Sequence, residues 1–409
     1  MQRVNGANGV GIRDDDARAV LAAIDPDETI AFLRELVRTP SVNPPGDVSA
    51  AIAICERELQ GAGFAVRTFT HAPGKPNLVA EWGADDGPLL AFNAHLDVVP
   101  TGDESAWTHP PFAAEIADGR VYGRGAGDDK ASVTAQVMGG IALARSGVKL
   151  RGRLTVTEVA DEETTGDGAN HIIAEAGLRP MGVIVGEQTL NRVAIGEKGT
   201  AGVNIVVTGR TAHGALPWEG ANAVEGIAHV IVALGKELHP QLRERTHPYF
   251  MPSSASVNLI EGGVKANVVP DRCSIFIDRR IIPGEDPVAT TAEIRAIAEQ
   301  AVSAIPGLAV QVLPSSEMRA ATMSEPDGVL ARAMLAANSY LGLSTEPTGF
   351  SMATDGRHFA AAGIPTIIYG PGDPRLAHVP DEWVGIDEVL EATRAYALGA
   401  LAILGRGGD

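Results

Sequence analysis

Residues 89–97, Leu-Leu-Ala-Phe-Asn-Ala-His-Leu-Asp, decide how this chain folds. Leu89 to Asn93 is a short apolar run of the length of a buried strand, and it delivers His95 and Asp97 just beyond its end. Further apolar runs fall near 77–82, 153–159, 182–185 and 365–369, and helical stretches near 47–62, 130–146, 168–176, 327–341 and 386–404 alternate with them. That alternation predicts an α/β sheet covered by helices. An earlier helix is expected from Asp25-Pro26-Asp27-Glu28, a capping box with proline at the first helical position, followed by apolar Ile30, Leu33, Leu36 and Val37 and stopped by Pro40.

The rhythm changes between 200 and 314. Strand 202–208, helix 221–238, strands 254–260 and 272–279, helix 287–303 and strand 308–313 follow the β-α-β-β-α-β order of a ferredoxin-like module. A second domain over 200–314 is therefore expected inside a discontinuous first domain made of 25–199 and 315–409. Residues 1–24 read as a loosely ordered extension in which Asp14, Asp15 and Asp16 form a solvated charge run.

Of 409 residues, 45% are hydrophobic and 21% charged, with 47 Gly and 26 Pro, so neither global disorder nor a collagen-like chain fits. The formal net charge of −18 argues against nucleic acid or an anionic membrane surface as partner, since both would be repelled. Two cysteines give no disulfide framework and no CxxC motif; Cys55 shares a helical apolar stripe with Val48, Ile52 and Leu59, and Cys273 is expected to pack in a strand. The first residues, MQRVNGANGVGIRDDD, lack the apolar core of a secretory signal, and no stretch reaches the roughly 18 apolar residues of a membrane span. A soluble, reducing, cytoplasmic setting is the expectation.

Ligands of open α/β sheets gather beyond the carboxyl ends of the strands. Here those ends carry His95 and Asp97, then Asp161-Glu162-Glu163, then Glu187 after Val183-Ile184-Val185, and, past Tyr369, a loop with His378. A glycine-rich turn, Gly123 to Gly127, delivers Asp128 to the start of the helix near Lys130. Each signal alone has a plain reading: a hydrogen-bonded histidine, a solvated acidic pair, or a phosphate loop, although GRGAGDDK lacks the GxxxxGK[ST] spacing. Together they would crowd carboxylates into one cleft, where like charges oppose ionisation unless cations bind. Two histidines with carboxylates and no thiolate suit zinc, with cobalt or manganese as substitutes.

HLDVVP (95–100), YGRGAGDDK (122–130), ADEE (160–163), GEQT (186–189), TAHGALPWEGANA (211–223), NVVPD (267–271), DRRIIPGE (278–285), TDGRHF (354–359) and GPGDPRLAHVPDEWV (370–384) occur in order. Over about 25–405 the chain thereby resembles the M20 metallopeptidase and amidohydrolase family, most of all its acetylornithine deacetylase and succinyl-diaminopimelate desuccinylase branch. The resemblance implies a three-layer α/β/α dizinc catalytic domain with an inserted ferredoxin-like α+β lid and dimerisation domain. It implies two Zn2+ per chain, one held by His95, Asp128 and Glu187 and the other by Asp128, Glu163 and His378. It also implies a cis bond beside Asp128, Glu162 as general base and His213 as the group that stabilises the oxyanion, often from the partner subunit of a homodimer. Arg280 and Asn267 match positions that bind a substrate carboxylate, while Gly349, Ser351, Thr354 and Asp355 fall in the substrate-end loop. Asp129 departs from the pattern by standing where relatives usually carry an uncharged residue.

Asp97, two residues from His95 and on the same face of an extended segment, is expected to accept the second ring N–H of that histidine. Arg279 is expected to face solvent. His71, His109, His171, His229, His239, His247 and His358 have no constellation around them and read as surface or packing residues. The resulting expectation is a hydrolase that cleaves the amide bond of a small N-acyl amino acid. The alternatives are a dipeptidase or carboxypeptidase on the same fold, hydrolysis of another C–N bond such as that of an aryl amine, and a catalytically silent metal-binding scaffold.

Overall fold

A computed structural model describes residues 11–316 and 318–405. In chain order the first stretch contains α1 (Asp14–Ala22), α2 (Pro26–Val37), α3 (Ser49–Gly61), β1 (Ala65–Ala72), β2 (Lys75–Gly83), β3 (Leu89–His95), β4 (Glu115–Ala117), β5 (Arg120–Tyr122), α4 (Lys130–Arg145), β6 (Arg153–Val159), α5 (Asp167–Glu175), β7 (Gly182–Gly186) and β8 (Ala194–Glu197). There follow β9 (Gly199–Thr200), β10 (Val203–Thr208), β11 (Ala212–His213), α6 (Ala223–Ala233), α7 (His239–Glu244), β12 (Ser254–Gly262), β13 (Val268–Val269), β14 (Arg272–Ile281), α8 (Pro287–Ser303) and β15 (Ala309–Pro314). The last stretch holds β16 (Thr322–Met323), α9 (Val329–Leu341), β17 (Thr348–Phe350), α10 (Gly356–Ala361), β18 (Thr366–Tyr369), β19 (Trp383–Gly385) and α11 (Ile386–Leu404). No described helix is long and apolar enough to cross a membrane.

The described residues form two compact units, one of 11–196, 323–350 and 354–405 and the other drawn from 197–322 and 351–353. In the first, the strands run β1-β2-β6-β3-β7-β18-β8 across a mixed sheet, and its centre, β6-β3-β7-β18, is parallel. Parallel strands are covered on both faces, which is why β3, β7 and β18 are mostly apolar and all four central strands are almost wholly buried, β6 with Thr155, Thr157 and Glu158 among its apolar residues. One face takes α4, α9 and α11. Phe92 of β3 packs edge-on against Tyr396 of α11 at 4.9 Å, and a Cβ on Gly182 would run into Leu330 of α9. The other face takes α5 and α10, where Gly168 lies on Ala160 and Asn77 and Gly356 on Val185. Gly186 shows how tight the first face is, since a Cβ there would stand 2.6 Å from that of Ser132 on α4.

The segment expected to be a loose extension differs. Residues 14–22 form α1, with Ala17 and Val20 buried one turn apart and Asp14, Asp15 and Asp16 in the first turn, where they complement the helix dipole. The same expectation for residues 1–10 lies outside the described residues. Asp25 caps α2 by accepting from the N–H groups of Asp27 and Glu28.

In the second unit β12-β14-β10-β15 form an antiparallel sheet. Val203, Ile205 and Val207 of β10 and Cys273, Ile275 and Ile277 of β14 alternate inward onto Ile227 and Val230 of α6 and Ile294 of α8. The helix read over 221–238 does not stop there: α6 loosens into a π-helical turn over Leu234–Leu238 and continues as α7. Arg279 is a correction. It follows Cys273, Ile275 and Ile277 in the period-two alternation of β14 and is fully buried, donating to Glu285 at 2.7 Å and to the Ser254 carbonyl.

Candidate metal centre

Four adjacent parallel strands deliver the site. β3 ends at His95, β6 leads through Ala160 to Asp161, Glu162 and Glu163, β7 leads to Glu187, and the loop after β18 carries His378. Asp128 comes from the turn ahead of α4. Gly125 in that turn has φ 82° and lies against Val98, 2.6 Å from where a Cβ would put it, so only glycine serves there. The Asp128–Asp129 bond is cis.

Asp128 joins two groups of ligand atoms. His95 Nε2 lies 3.2 Å from Asp128 Oδ1 and 3.9 Å from Glu187 Oε1, and His378 Nε2 lies 3.3 Å from Asp128 Oδ2 and 3.2 Å from Glu163 Oε2. Within each triad the ligand atoms fall within 4.8 Å of one another. His95 Nε2 and Glu163 Oε1 are buried without a hydrogen-bond partner among the described residues, so lone pairs are left facing the two positions. Two histidines, three carboxylates and no thiolate fit a pair of borderline divalent cations.

The electrostatics agree. Burial raises Glu187 and Glu162 well above the usual carboxylate range and raises Glu163, with neighbouring carboxylates adding to each. Burial opposes the charged form of His95, but the Asp128 carboxylate 3.2 Å away and the charges of Asp129 and Glu162 carry it well above the ordinary imidazole value. Bonds to Asp128 and Glu163 push His378 up to about 10. Asp128, although buried, is lowered by the same two histidines. A cluster that draws protons this strongly would draw divalent cations at the same lone pairs.

The carboxylate of Asp97 does not take the role expected of it. β3 ends at His95, so Asp97 leaves the shared strand face; His95 Nδ1 lies 3.0 Å from the Asp97 backbone carbonyl and 3.7 Å from Oδ1. The carboxylate instead accepts the N–H groups of Glu162 and Glu163, at 3.2 and 3.3 Å, and the Asn43 amide at 2.8 Å. Asn43 also donates to Asp161, which takes Lys75 at 2.6 Å and pairs with His71 at 2.9 Å. His71, expected to lack a constellation, therefore belongs to the clamp that holds Asp161 in a left-handed conformation with φ 69°. Glu162 Oε1 accepts from Arg357. None of Asn43, His71, Lys75 and Arg357 was singled out by the sequence, although Arg357 sits in the TDGRHF motif.

Asp129 belongs to neither triad. It is fully buried, accepts weakly from the His95 N–H at 3.4 Å, and burial pushes its pKa up to about 7. Gly349 lies on β17 and Thr354 and Asp355 are buried at the start of α10. In the second unit, His213 is exposed on β11, its Nδ1 accepting from the Ala215 N–H at 3.1 Å. Asn267 is exposed beside it, with its carbonyl on the Gly214 N–H. Arg280 points away from the helices and pairs with Asp278, and Ser351 lies in the same unit.

A sequence model of peptidase family M20/M25/M40 matches residues 91–401. The chain is 31% identical over 385 residues to a succinyl-diaminopimelate desuccinylase of Cereibacter sphaeroides, covering 91% of this chain and 97% of that one. Among solved structures, the aminopeptidase PepT of Bacillus cereus superposes with a TM-score of 0.75 at 18% identity, covering 93% of this chain and 99% of that one. A dinuclear metal binding peptidase of the M20 family from Bacillus subtilis superposes with a TM-score of 0.70 at 17% identity, covering 93% and 98%.

Proposed function

The chain belongs to peptidase family M20/M25/M40, and from that premise we propose that it is a metal-dependent amidohydrolase that cleaves the acyl C–N bond of a small N-acyl amino acid. The observation that carries this reading is the pair of triads sharing Asp128, with Glu162 beside them. His95, Asp128 and Glu187 would hold one ion and Asp128, Glu163 and His378 the other, zinc natively, with cobalt or manganese as substitutes. Bound there, two divalent ions would supply Lewis acidity for the scissile carbonyl and lower the pKa of the attacking water.

The protein's own groups do the rest. Glu162 accepts the proton of the attacking water and returns it to the leaving amine, which a carboxylate raised by burial is suited to do. Asp97 fixes the backbone from which Glu162 and Glu163 diverge, so one side chain holds a cation while its neighbour reaches the water. His213 donates to the oxyanion of the tetrahedral intermediate: with Nδ1 occupied as an acceptor, its Nε2 carries the proton to give. Arg280 and Asn267 take the substrate's carboxylate, with Gly349 and Ser351 lining its end, and the second unit serves as lid and homodimer contact. The enzyme works in the cytoplasm, and its net charge of −18 suits neither nucleic acid nor an anionic membrane.

The test is a hydrolysis screen of the metal-loaded protein against N-succinyl, N-acetyl and N-formyl amino acids, dipeptides and aryl amides, read by release of the free amine. Turnover of an N-acyl amino acid that vanishes in Glu162→Gln supports the reading. Turnover of dipeptides alone makes the protein a peptidase, and no turnover of any member leaves a silent scaffold.

A further inference from the structure

Glu382 lies four residues beyond His378 and is completely buried. Its Oε1 accepts two backbone N–H groups, from Gly127 at 2.9 Å and from Asp128 at 3.1 Å. Its Oε2 pairs with the buried guanidinium of Arg124, which lies over the Trp107 ring. Its own carbonyl takes the Gly123 N–H, and the next residue, Trp383, pairs with Tyr122 across β19 and β5. The loop that brings His378 and the turn that brings Asp128 are thus tied together at one carboxylate. Asp128 offers one oxygen to each histidine, at 3.2 and 3.3 Å, so a small shift of its backbone would spoil both triads at once.

We propose that Glu382 is a positioning residue for the metal pair, fixing through the backbone of Asp128 the carboxylate that both cations share. The proposal rests on the metal-centre reading above. A buried carboxylate that served only to balance Arg124 would need no particular acceptor geometry, whereas this one spends an oxygen on the amide of the bridging ligand. Arg124 offsets the charge that such an acceptor brings into the interior.

The decisive comparison uses two double variants that both remove the buried charge pair, Arg124→Met/Glu382→Gln, which keeps an acceptor oxygen, and Arg124→Met/Glu382→Leu, which does not. Zinc and cobalt affinities are measured by chelator competition, the cobalt absorption spectrum reports ligand geometry, and near-ultraviolet circular dichroism with melting of the metal-free protein reports the fold. The glutamine variant should bind within about threefold of the parent, and the leucine variant about 10- to 100-fold more weakly with an altered cobalt spectrum while remaining folded. Equal affinities in the two overturn the proposal. Should the leucine variant not fold, Glu382→Asp keeps the charge and shortens the reach; binding about tenfold weaker in a folded protein supports the proposal and parental binding overturns it. A parent that takes up fewer than two ions overturns the metal-centre reading itself, and this proposal with it.

Discussion

Arg357 Nη1 lies 3.3 Å from Glu162 Oε1, and the same guanidinium nitrogen donates to the Thr354 carbonyl at 2.9 Å. The carboxylate proposed as the proton acceptor is therefore held from the side by a cation whose own place is fixed at the start of α10. Burial and the charges of Asp355 and Glu163 favour the protonated form of Glu162, while His95 and Arg357 favour the ionised one. Burial prevails, so the carboxyl is held well above the usual carboxylate range, the direction that favours taking up a proton.

Replacing Glu162 by Gln should leave metal content unchanged and lower turnover by about 10²- to 10⁴-fold, the usual share of a general base. The outcome is read from metal analysis together with steady-state kinetics on whichever substrate the screen identifies. Near-parental turnover would remove the base assignment, and loss of metal would make Glu162 a ligand.

Asn43 should matter although it touches no ligand atom. Its amide donates to Asp97 at 2.8 Å and Asp161 at 2.9 Å, two nearly buried carboxylates that frame the Glu162–Glu163 segment. Asn43→Ala should cost about 1.5–3 kcal/mol of stability, the range for a hydrogen bond to a charged group, and about tenfold in kcat with KM little changed. Denaturant unfolding and kinetics check both, and a variant with parental kcat would mean that the segment is held without this bridge.

Much of the site was legible because metal chemistry and strand order leave local marks: a buried run ending in His95, acids straight after β6 and β7, and a glycine turn before Asp128. What could not be read depends on contacts far along the chain. Spacing alone points Asp97 at the His95 ring, but spacing cannot tell that the strand ends at His95 and that the Asp97 carboxylate turns to the amides of residues 162 and 163. His71 sits on β1, the sheet's exposed edge, and gains its meaning from Asp161, 90 residues on. Arg279 was legible in principle, since it continues the alternation of Cys273, Ile275 and Ile277, but an arginine pair in sequence suggests solvent until Glu285 is seen to close over it.

That buried ion pair gives a pH dependence. Burial would raise Glu285, but bonds from Ser253, the Ile282 N–H and Arg245 together with the Arg279 charge hold it below its ordinary 4.5. A carboxyl with a lower pKa folded than unfolded stabilises fully above its unfolded value, and that contribution fades as pH falls towards the folded one. Stability should therefore decline below about pH 4.5, and Glu285→Gln should flatten that decline. At neutral pH the same variant should lose about 3–5 kcal/mol, because Arg279 is left buried without its counter-charge. Unfolding followed at several pH values decides it; parallel curves for parent and variant would exclude Glu285 as the titrating group.

Metal removal offers a direct reading of the paired triads. Dialysis against a strong chelator should abolish turnover and lower the melting temperature, and adding back zinc, cobalt or manganese should restore both at close to two equivalents per chain. Restoration complete at one equivalent would mean that one triad is not a binding site.

The second unit supplies the last prediction. β12 is the edge of its sheet, with Leu259 and Ile260 66% and 62% exposed, and an open apolar edge strand invites pairing with another strand. The protein should be a dimer by mass in solution, and Leu259→Asp/Ile260→Lys should make it monomeric. If His213 then serves the metal centre of the other chain, two inactive variants, Glu162→Gln and His213→Ala, should regain activity when unfolded together and refolded. In the mixed dimer an intact base in one chain meets an intact histidine from its partner, which neither parent dimer provides. Recovery would place His213 in trans. A dimer that shows none would place it in cis, because then each chain would carry its own defect in its own site.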